Sequence, residues 1–544
     1  MLSPLRSALF LAFCGSAIAA PISKDIVIYG GTPGGITAAV QAARDGRSVV
    51  LVSPTKHLGG LTTSGLGWTD LGDSRILGGL GLDFYKRVYR HYQSDSAWTQ
   101  ETREKFGNRG QGGPAFNAEK QIGSVFEPKV AEQIFTQMLG EAKVEVVHAK
   151  LDLKKGVSME GKRIRSLRME DGSEFVGGMF IDASYEGDLL PGAEVSFNVG
   201  REANAAQGES ASGIQAKQAT KNQLPDGIDP HRVKGDPKSG LLPGVNPGPG
   251  GEDGEGDKTL QAYCYRMVLT DVAENRVMIG KPEGYREEDY EILFRAIEAG
   301  QQEKFFKLDL MPNRKTDSNN TGGISTDYIG MNYGKGWDWT TLGHAERDAL
   351  AKQHELWQRG LVWTLQNHPR VPEEMRKKLA TWGLPKDEFT DNGHWPWQLY
   401  VREARRMVGE VVMNQKHCTG QEKVNDPVGL AAYAMDSHHV QRTVLKGMLK
   451  NEGDVQLHVK KPYPVSYRSL VPKRGECENL LVPWSLSATH MAFGSIRMEP
   501  VFMGLGQSAA IAADLALDKE IAVQEVVYAD LRKRLVEAEQ ALGE

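Results

Sequence analysis

Residues 26–52 constrain the fold more than any other part of this chain. Ile26, Val27, Ile28 and Tyr29 make a short apolar run that ends in Gly30-Gly31-Thr32-Pro33-Gly34-Gly35. Residues 36–46 then carry the pattern of a helix, and residues 48–52 are a second apolar run. Strand, glycine turn, helix and strand in that order make a βαβ unit and predict a parallel sheet. A helix that begins at such a turn offers unpaired N–H groups and the positive end of its dipole, which suits a pyrophosphate. A dinucleotide-binding fold follows, with Gly30, Gly31, Thr32, Pro33, Gly34 and Gly35 against the ligand.

Two positions depart from the usual G-x-G-x-x-G fingerprint. Thr32 stands at the middle glycine, so Gly31 or Gly34 has to supply the backbone approach to the phosphates. The acid expected about 20 residues further on, at the end of the second strand, is Ser53, which can hydrogen-bond a ribose but brings no charge. A helix–sheet turn without a ligand is the alternative reading. Just downstream, Leu58-Gly59-Gly60 and Gly65-Leu66-Gly67 leave room for a flavin along backbone that carries no Cβ. A nicotinamide enzyme usually starts another helix there. Glycines serving turns alone are the alternative. The dinucleotide these features favour is FAD, with Gly59 and Gly60 added to its contacts.

At 544 residues the chain has room for two or more domains, and a net charge of −5 gives no basis for nucleic-acid binding. No long apolar run follows the N-terminus, so no membrane span is expected. The N-terminus itself reads as an export signal over residues 1–19: Arg6, an apolar stretch over residues 8–18, and Ala17-Ile18-Ala19 before the cut. The expected destination is the periplasm or beyond. Cys264, Cys418 and Cys477 remain in the mature chain, an odd number that makes no disulfide framework; no cysteine or histidine spacing suits zinc. A tightly held flavin suits an exported enzyme better than a soluble nicotinamide.

Residues 24–202 are expected to form the first part of the FAD domain. They hold a helix near residues 129–139, a strand at 144–147 and a hairpin of residues 164–168 and 174–176 about Asp171-Gly172. A separate buried strand at 179–184 carries Asp182 to the cofactor. Residues 203–258 are rich in glycine and proline and read as a long irregular loop over the site. Residues 259–460 read as an inserted α+β substrate domain. It holds seven of the ten tryptophans, among them Trp337, Trp339, Trp357, Trp395 and Trp397, which can stack on sugars or fill a core. Residues 461–520 complete the FAD domain and residues 521–544 add a terminal helix. The fold class is α/β: a discontinuous Rossmann-like FAD domain interrupted by an α+β insert.

The C-terminal part carries Ser487-Ala488-Thr489-His490, then Gly494-Ser495-Ile496-Arg497-Met498-Glu499-Pro500, then a helix of small residues containing Gly504, Gly506 and Gln507. Pro500 suits a first helical turn. The start of that helix is expected at the flavin, with Gly506 and Gln507 in contact with it, where its dipole would stabilise negative charge on the reduced ring. With both ends read, the chain resembles the FAD-dependent oxidoreductases of the fumarate reductase and succinate dehydrogenase type of flavin fold. It is most similar to a secreted bacterial branch often labelled xanthan lyase. The resemblance rests on residues 30–35, His57-Leu58-Gly59-Gly60, Phe126-Glu127-Pro128, residues 180–188 and 320–327, Tyr433-Ala434-Met435-Asp436-Ser437-His438-His439, and residues 487–507. Thr32 looks like a habit of that branch, whereas many relatives carry an acid at Ser53. A lyase activity does not follow from these residues.

A flavin dehydrogenase needs a substrate C–H held over the ring and a base for the adjacent proton; a reductase needs a general acid. His490 and Arg497 precede the last long helix. Arg497 could hold a carboxylate, polarise a carbonyl or clamp a phosphate; His490 could be the base or a structural hydrogen bonder. His438 and His439 are adjacent, so on a strand one of them at most faces a site. His57 could hold a flavin covalently. The resulting expectation is an exported FAD-dependent oxidoreductase for a small or carbohydrate-derived substrate, with an unidentified electron acceptor. A polysaccharide lyase or a glycan-binding protein on a degenerate flavin fold are the alternatives.

Overall fold

The computed structural model describes residues 20–111, 113–328 and 338–543. The expected export signal at residues 1–19 and Trp337 lie outside the described residues. Strand β1 (Ile22–Tyr29), helix α1 (Pro33–Arg44) and strand β2 (Val49–Ser53) make the βαβ unit. β1 is flanked on both sides: Ile26 stands opposite Val49 of β2 and also opposite Met179. A strand inside a parallel sheet is covered on both faces, hence a continuous apolar run and not an alternating one. Helices α2 (Gly79–His91) and α3 (Pro128–Glu141) pack with α1 on one face of the sheet.

Strand β3 (Glu145–His148) pairs parallel with β2. An antiparallel run of β4 (Val157–Glu160), β5 (Arg163–Arg168) and β6 (Glu174–Asp182) returns the chain to β1, giving the order β3-β2-β1-β6-β5-β4. Residues 174–176 and 179–184, read above as two strands, are joined through Gly177 and Gly178 in β6. A Cβ at these glycines would come within 2.9 Å of Val27 and 2.8 Å of Leu517, so the strand passes under its neighbours only without side chains there.

Residues 203–258 are largely irregular, and Arg201 ties them down by ion pairs to Asp257 and Glu452. Strands β7 (Met267–Thr270), β8 (Asp309–Met311) and β9 (Lys315–Ser318) form a small antiparallel sheet, followed by helix α4 (His344–Asn367). β10 (Met435–Ser437) pairs with β11 (Val455–Leu457). The chain then re-enters the main sheet: β12 (Leu480–Leu481) lies parallel to the end of β6 at Phe180 and Ile181. Helices α5 (His490–Ile496), α6 (Glu499–Lys519) and α7 (Tyr528–Glu537) follow.

α6 is apolar on nearly every side because it is a core helix; 89% of its most apolar window is buried, although its length and composition would also suit a membrane span. It crosses α1 closely. Thr37 Oγ1 donates to the Met503 carbonyl at 2.7 Å, and a Cβ on Gly506 would stand 2.0 Å from the Gly34 carbonyl oxygen. Segment Pro427–Ala431 lies on α6, with Ser508 donating to the Val428 carbonyl, although it falls in the stretch read as an insert. Cys264, Cys418 and Cys477 are buried free thiols.

Gly506→Val is expected to cost about 1–3 kcal/mol, the usual penalty for overpacking a core. A Tm equal to that of the wild type in thermal unfolding would show that α1 and α6 do not need this approach.

Candidate functional site

A cleft of about 440 Å³ opens at the start of α1. Gly30, Gly31 and Thr32 line one end; Pro54 and Thr55, Ser184 to Glu186, the first turns of α4 and residues 395–399 continue it. Gly30 has φ +117°, and a Cβ there would strike the Ala183 carbonyl at 2.6 Å, so only glycine makes this turn. Thr32 is the N-cap of α1: its Oγ1 accepts from Gly35 N at 3.2 Å and donates to the Ala183 carbonyl at 2.9 Å. The hydroxyl thus ties the helix start to the turn after β6. Pro33 takes the first helical position, Gly34 lies under Phe502, and Gly35 lies on the Gly30 carbonyl. Only the first three of these six residues face the cleft; the last three let α1 pack.

The other expected cofactor contacts divide in the same way. Gly60 lines the cleft, and a side chain there would meet the Tyr185 hydroxyl at 2.1 Å. Gly59 N donates to the Gly31 carbonyl at 2.7 Å, joining the two glycine turns. Ser53 is fully buried and its Oγ donates to the Thr55 carbonyl at 2.8 Å; Pro54 and Thr55 face the cleft in its place. Asp182 is also fully buried. Its carboxylate accepts from Ser184 N, Ser184 Oγ and Leu189 N, and burial pushes its pKa to about 6. It shapes the 184–188 turn and does not reach the cleft. Gly506 packs on Gly34, and Gln507 bridges Leu80 N and Gln41 Oε1 at 2.8 and 2.9 Å. Both lie along α6, more than a turn past its start, and line no part of the cleft. His57 is held between Glu132 and Asp391 and stacks on Trp397.

Arg347, which the sequence reading did not single out, and two of the tryptophans it did, Trp395 and Trp397, complete the cleft. Arg347 of α4 forks onto Asp188 at 3.0 and 2.9 Å. Glu186, beside it, is half-buried, and the loss of water around its carboxyl raises its pKa to about 7 despite Arg347 nearby. Trp395 and Trp397 line the wall, and the Nε1 atoms of both are buried without a hydrogen-bond partner. Buried donors left unpaired are costly and rare. The glycine-lined entrance at a helix N-terminus and these two waiting donors fit an extended ligand with phosphates at one end and polar acceptors further along, as in FAD.

A second cavity of about 280 Å³ lies behind the cleft wall. Successive residues face opposite ways: Tyr265 and Leu399 line the cleft, Arg266 and Tyr400 line the chamber. The other chamber residues that matter here are Asp70, Asn222, Asp436 and His438, with Met498, the N-cap of α6, at its base. Arg266 is pinned by Asp317 at 2.7 Å and Asp70 at 3.0 Å. The Tyr400 hydroxyl accepts from Arg497 Nη1 at 2.9 Å, and the guanidiniums of Arg402, Arg497 and Arg266 stand 4.5, 5.7 and 5.8 Å from its ring. Burial nevertheless raises the phenol above its ordinary pKa, so it keeps its proton at neutral pH.

His438 faces this chamber, with Nδ1 3.1 Å from Asp327 and Nε2 3.0 Å from Asp436. Burial pushes the Asp327 carboxyl up, but Arg402 and His438 more than offset it and hold it at about 2; Asp436 is held lower still by His438 and Arg497. His439 does not line the chamber; it is buried, 3.5 Å from Asp454, which does. His490 and Arg497 line neither cavity. His490 is buried between Glu403 Oε2 at 2.8 Å and Ser437 Oγ at 3.0 Å, an anchor for the start of α5. Arg497 acts from behind the wall, on the Tyr400 hydroxyl and on the Asp436 carbonyl at 3.0 Å. One signal for Arg266 was present in the sequence: an arginine inside the apolar run of residues 262–269, where a buried charge needs a partner and a reason.

Comparison with known proteins gives a family. The sequence profile described as FAD dependent oxidoreductase matches residues 25–535. No curated protein matches. Among solved structures, the chain is similar to L-proline dehydrogenase from P. horikoshii (16% identity, 34% of this chain and 59% of that one, TM-score 0.23). It is similar to OxyS anhydrotetracycline hydroxylase from Streptomyces rimosus (13%, 40% and 39%, TM-score 0.23) and to L-amino acid deaminase from Proteus vulgaris (16%, 34% and 54%, TM-score 0.23). This chain spans less than two thirds of each of these, and none of the three likenesses bears on what it acts upon.

Glu499, the first residue of α6, is buried with Oε1 2.8 Å from the Tyr185 hydroxyl and Oε2 without a partner. Burial raises its pKa from 4.5 to about 8. The folded chain therefore keeps a proton that the unfolded chain releases, and stability drawn from this group falls as pH rises from 4.5 to about 8. Glu499→Gln is expected to unfold close to the wild type at pH ~5 and at a higher temperature than it at pH ~9. A Tm difference that stays constant across that range would contradict the assignment.

Proposed function

The chain belongs to the FAD dependent oxidoreductase family, and we propose that it is an exported dehydrogenase for a small, strongly polar, hydroxyl-bearing substrate such as a carbohydrate derivative. The enzyme class and the FAD cofactor come with the family. The substrate reading rests on one observation: the chamber behind the cleft wall is lined by charged, amide and hydroxyl groups, with few apolar side chains. Such a lining suits a ligand rich in hydroxyls and offers little to an apolar one.

Gly30–Thr32 and Gly60 would hold the phosphate end of FAD in the cleft, and the cofactor would supply the hydride acceptor. The chain supplies the rest. Arg266, fixed by Asp70 and Asp317, and the Tyr400 phenol, fixed by Arg497, donate hydrogen bonds to the oxygen of the substrate. Because Arg497 occupies a lone pair of the Tyr400 oxygen, the phenol proton is left to turn towards the chamber. His438 in its neutral form, with Nδ1–H donated to Asp327, takes the hydroxyl proton at Nε2, and Asp436 accepts the N–H that forms. Arg497 is a positioning residue. In the reverse direction the imidazole returns the proton, with the phenol again donating its hydrogen bond.

Export is supported by Arg6, the apolar residues 8–18 and Ala17-Ile18-Ala19. It agrees with the resemblance to a secreted branch. A flavin held by a buried glycine cradle would also survive export.

The purified protein is expected to show a flavin spectrum that candidate sugars and polyols bleach without oxygen. Tyr400→Phe and His438→Gln should each retain the flavin and lower the rate of bleaching by about 10²–10⁴. Full-rate bleaching in both variants would remove the chamber from the chemistry, and a protein bleached by apolar alcohols alone would overturn the substrate class.

A further inference from the structure

A third cavity, of about 370 Å³, shares no lining residue with the cleft or the chamber. It lies on the far side of α4. Arg347, Asp348 and Lys352 of that helix face the cleft, whereas Gln353, Leu356 and Trp357 face this cavity. Its wall is aromatic. Tyr285, Tyr290 and Trp357 form a stack with ring centroids 5.0 Å apart at each step and planes within 9°. Tyr328 stands at the edge of the stack, 6.2 Å from Trp357. Trp357 Nε1 is satisfied by the Ser325 carbonyl at 3.2 Å, which fixes the indole in place.

Arg442 also lines this cavity, and its environment is unlike that of other arginines in the chain. Its Nε donates to Asn451 Oδ1 at 3.0 Å and its Nη2 to the Gly323 carbonyl at 3.4 Å. The residue is 6% exposed, yet among the described residues no carboxylate pairs with it. Residues 329–337 contain no Asp or Glu that could do so. Every other buried arginine among the described residues has an acid: Arg201 with Glu452, Arg266 with Asp317, Arg295 with Glu291, Arg347 and Arg405 with Asp188, Arg402 with Asp327, Arg406 with Glu403, and Arg497 with Asp436. Burial alone pushes the Arg442 pKa down, to about 9. At the rim Arg286 and Asp289 neutralise one another at 2.6 Å, so the cavity keeps the positive charge of Arg442.

A buried guanidinium without a counter-ion is costly, and an anion that reaches it recovers that cost. A planar fork suits a carboxylate, and an aromatic face suits a flat ring. We propose that this cavity is a second ligand site, for a small ring compound that carries a carboxylate. The carboxylate pairs with Arg442, and the ring lies against Trp357 and Tyr328 at the end of the stack. Two sources share that chemistry, an acidic monosaccharide and an aromatic acid.

The test is titration calorimetry on the full-length, FAD-loaded protein with glucuronate, benzoate and their neutral counterparts glucose and benzyl alcohol. One of the acids is expected to bind with a Kd of about 1 mM or lower, and at least about tenfold more tightly than its neutral counterpart. Glucuronate binding assigns the saccharide source and benzoate binding the aromatic one. Arg442→Gln should weaken the acid at least about tenfold with the flavin spectrum unchanged, and Arg442→Lys should restore part of the loss. If Arg442→Gln fails to fold, wild-type crystals soaked with the acid decide the matter, with density expected beside Arg442. Lack of binding by both acids, equal binding by Arg442→Gln, or density only in the chamber or cleft would overturn the proposal.

Discussion

The contact between α1 and α6 carries the architecture. Gly34 and Gly506 allow the two helices to approach until backbone meets backbone, and the Thr37 hydroxyl closes the gap on the Met503 carbonyl. Residues more than four hundred positions apart thereby become one layer on the sheet. The start of α1 is set at the mouth of the cleft, and the N-cap of α6, Met498, is set at the base of the chamber. Any side chain at the crossing would tilt one helix and move one cavity relative to the other. The small residues of α6 follow from this constraint, since a helix covered on all sides needs neither a polar face nor bulk.

Charge organises the region between the cavities. Arg402, Asp327, His438, Asp436, Arg497 and Tyr400 form a chain in which each member touches the next. Glu403, Arg406 and His490 form a second group beside it. Burying such ions is expensive, and a group of this kind persists only when every member has a partner; losing one partner typically costs about 3–5 kcal/mol. What is gained is placement. Tyr400 and His438 face the chamber with their orientations set by buried ions.

The sequence was informative where the deciding interactions are local. The turn at Gly30, helix α3 and the hairpin of β5 and β6 all depend on residues a few positions apart, and the pattern of glycine and apolar residues records them. It misled where a residue type has two uses. Ser53, Asp182, Gly506 and Gln507 have the chemistry of cofactor ligands, yet the first two are consumed by hydrogen bonds within their own turns and the last two by packing between helices. His490 and Arg497 were near the right place in the chain, and the fold turned both side chains away from either cavity. Asp70, Arg266 and Tyr400 come from three separate segments, and no spacing links them.

Sequence alone determined the βαβ unit and its glycine turn, because strand, turn and helix are set there by neighbouring residues, and its profile places the chain among FAD dependent oxidoreductases. Tertiary structure alone decided which polar groups face a cavity. That choice depends on which side of a strand or helix is covered by a distant segment, and so on contacts that leave no periodic trace in the order of residues.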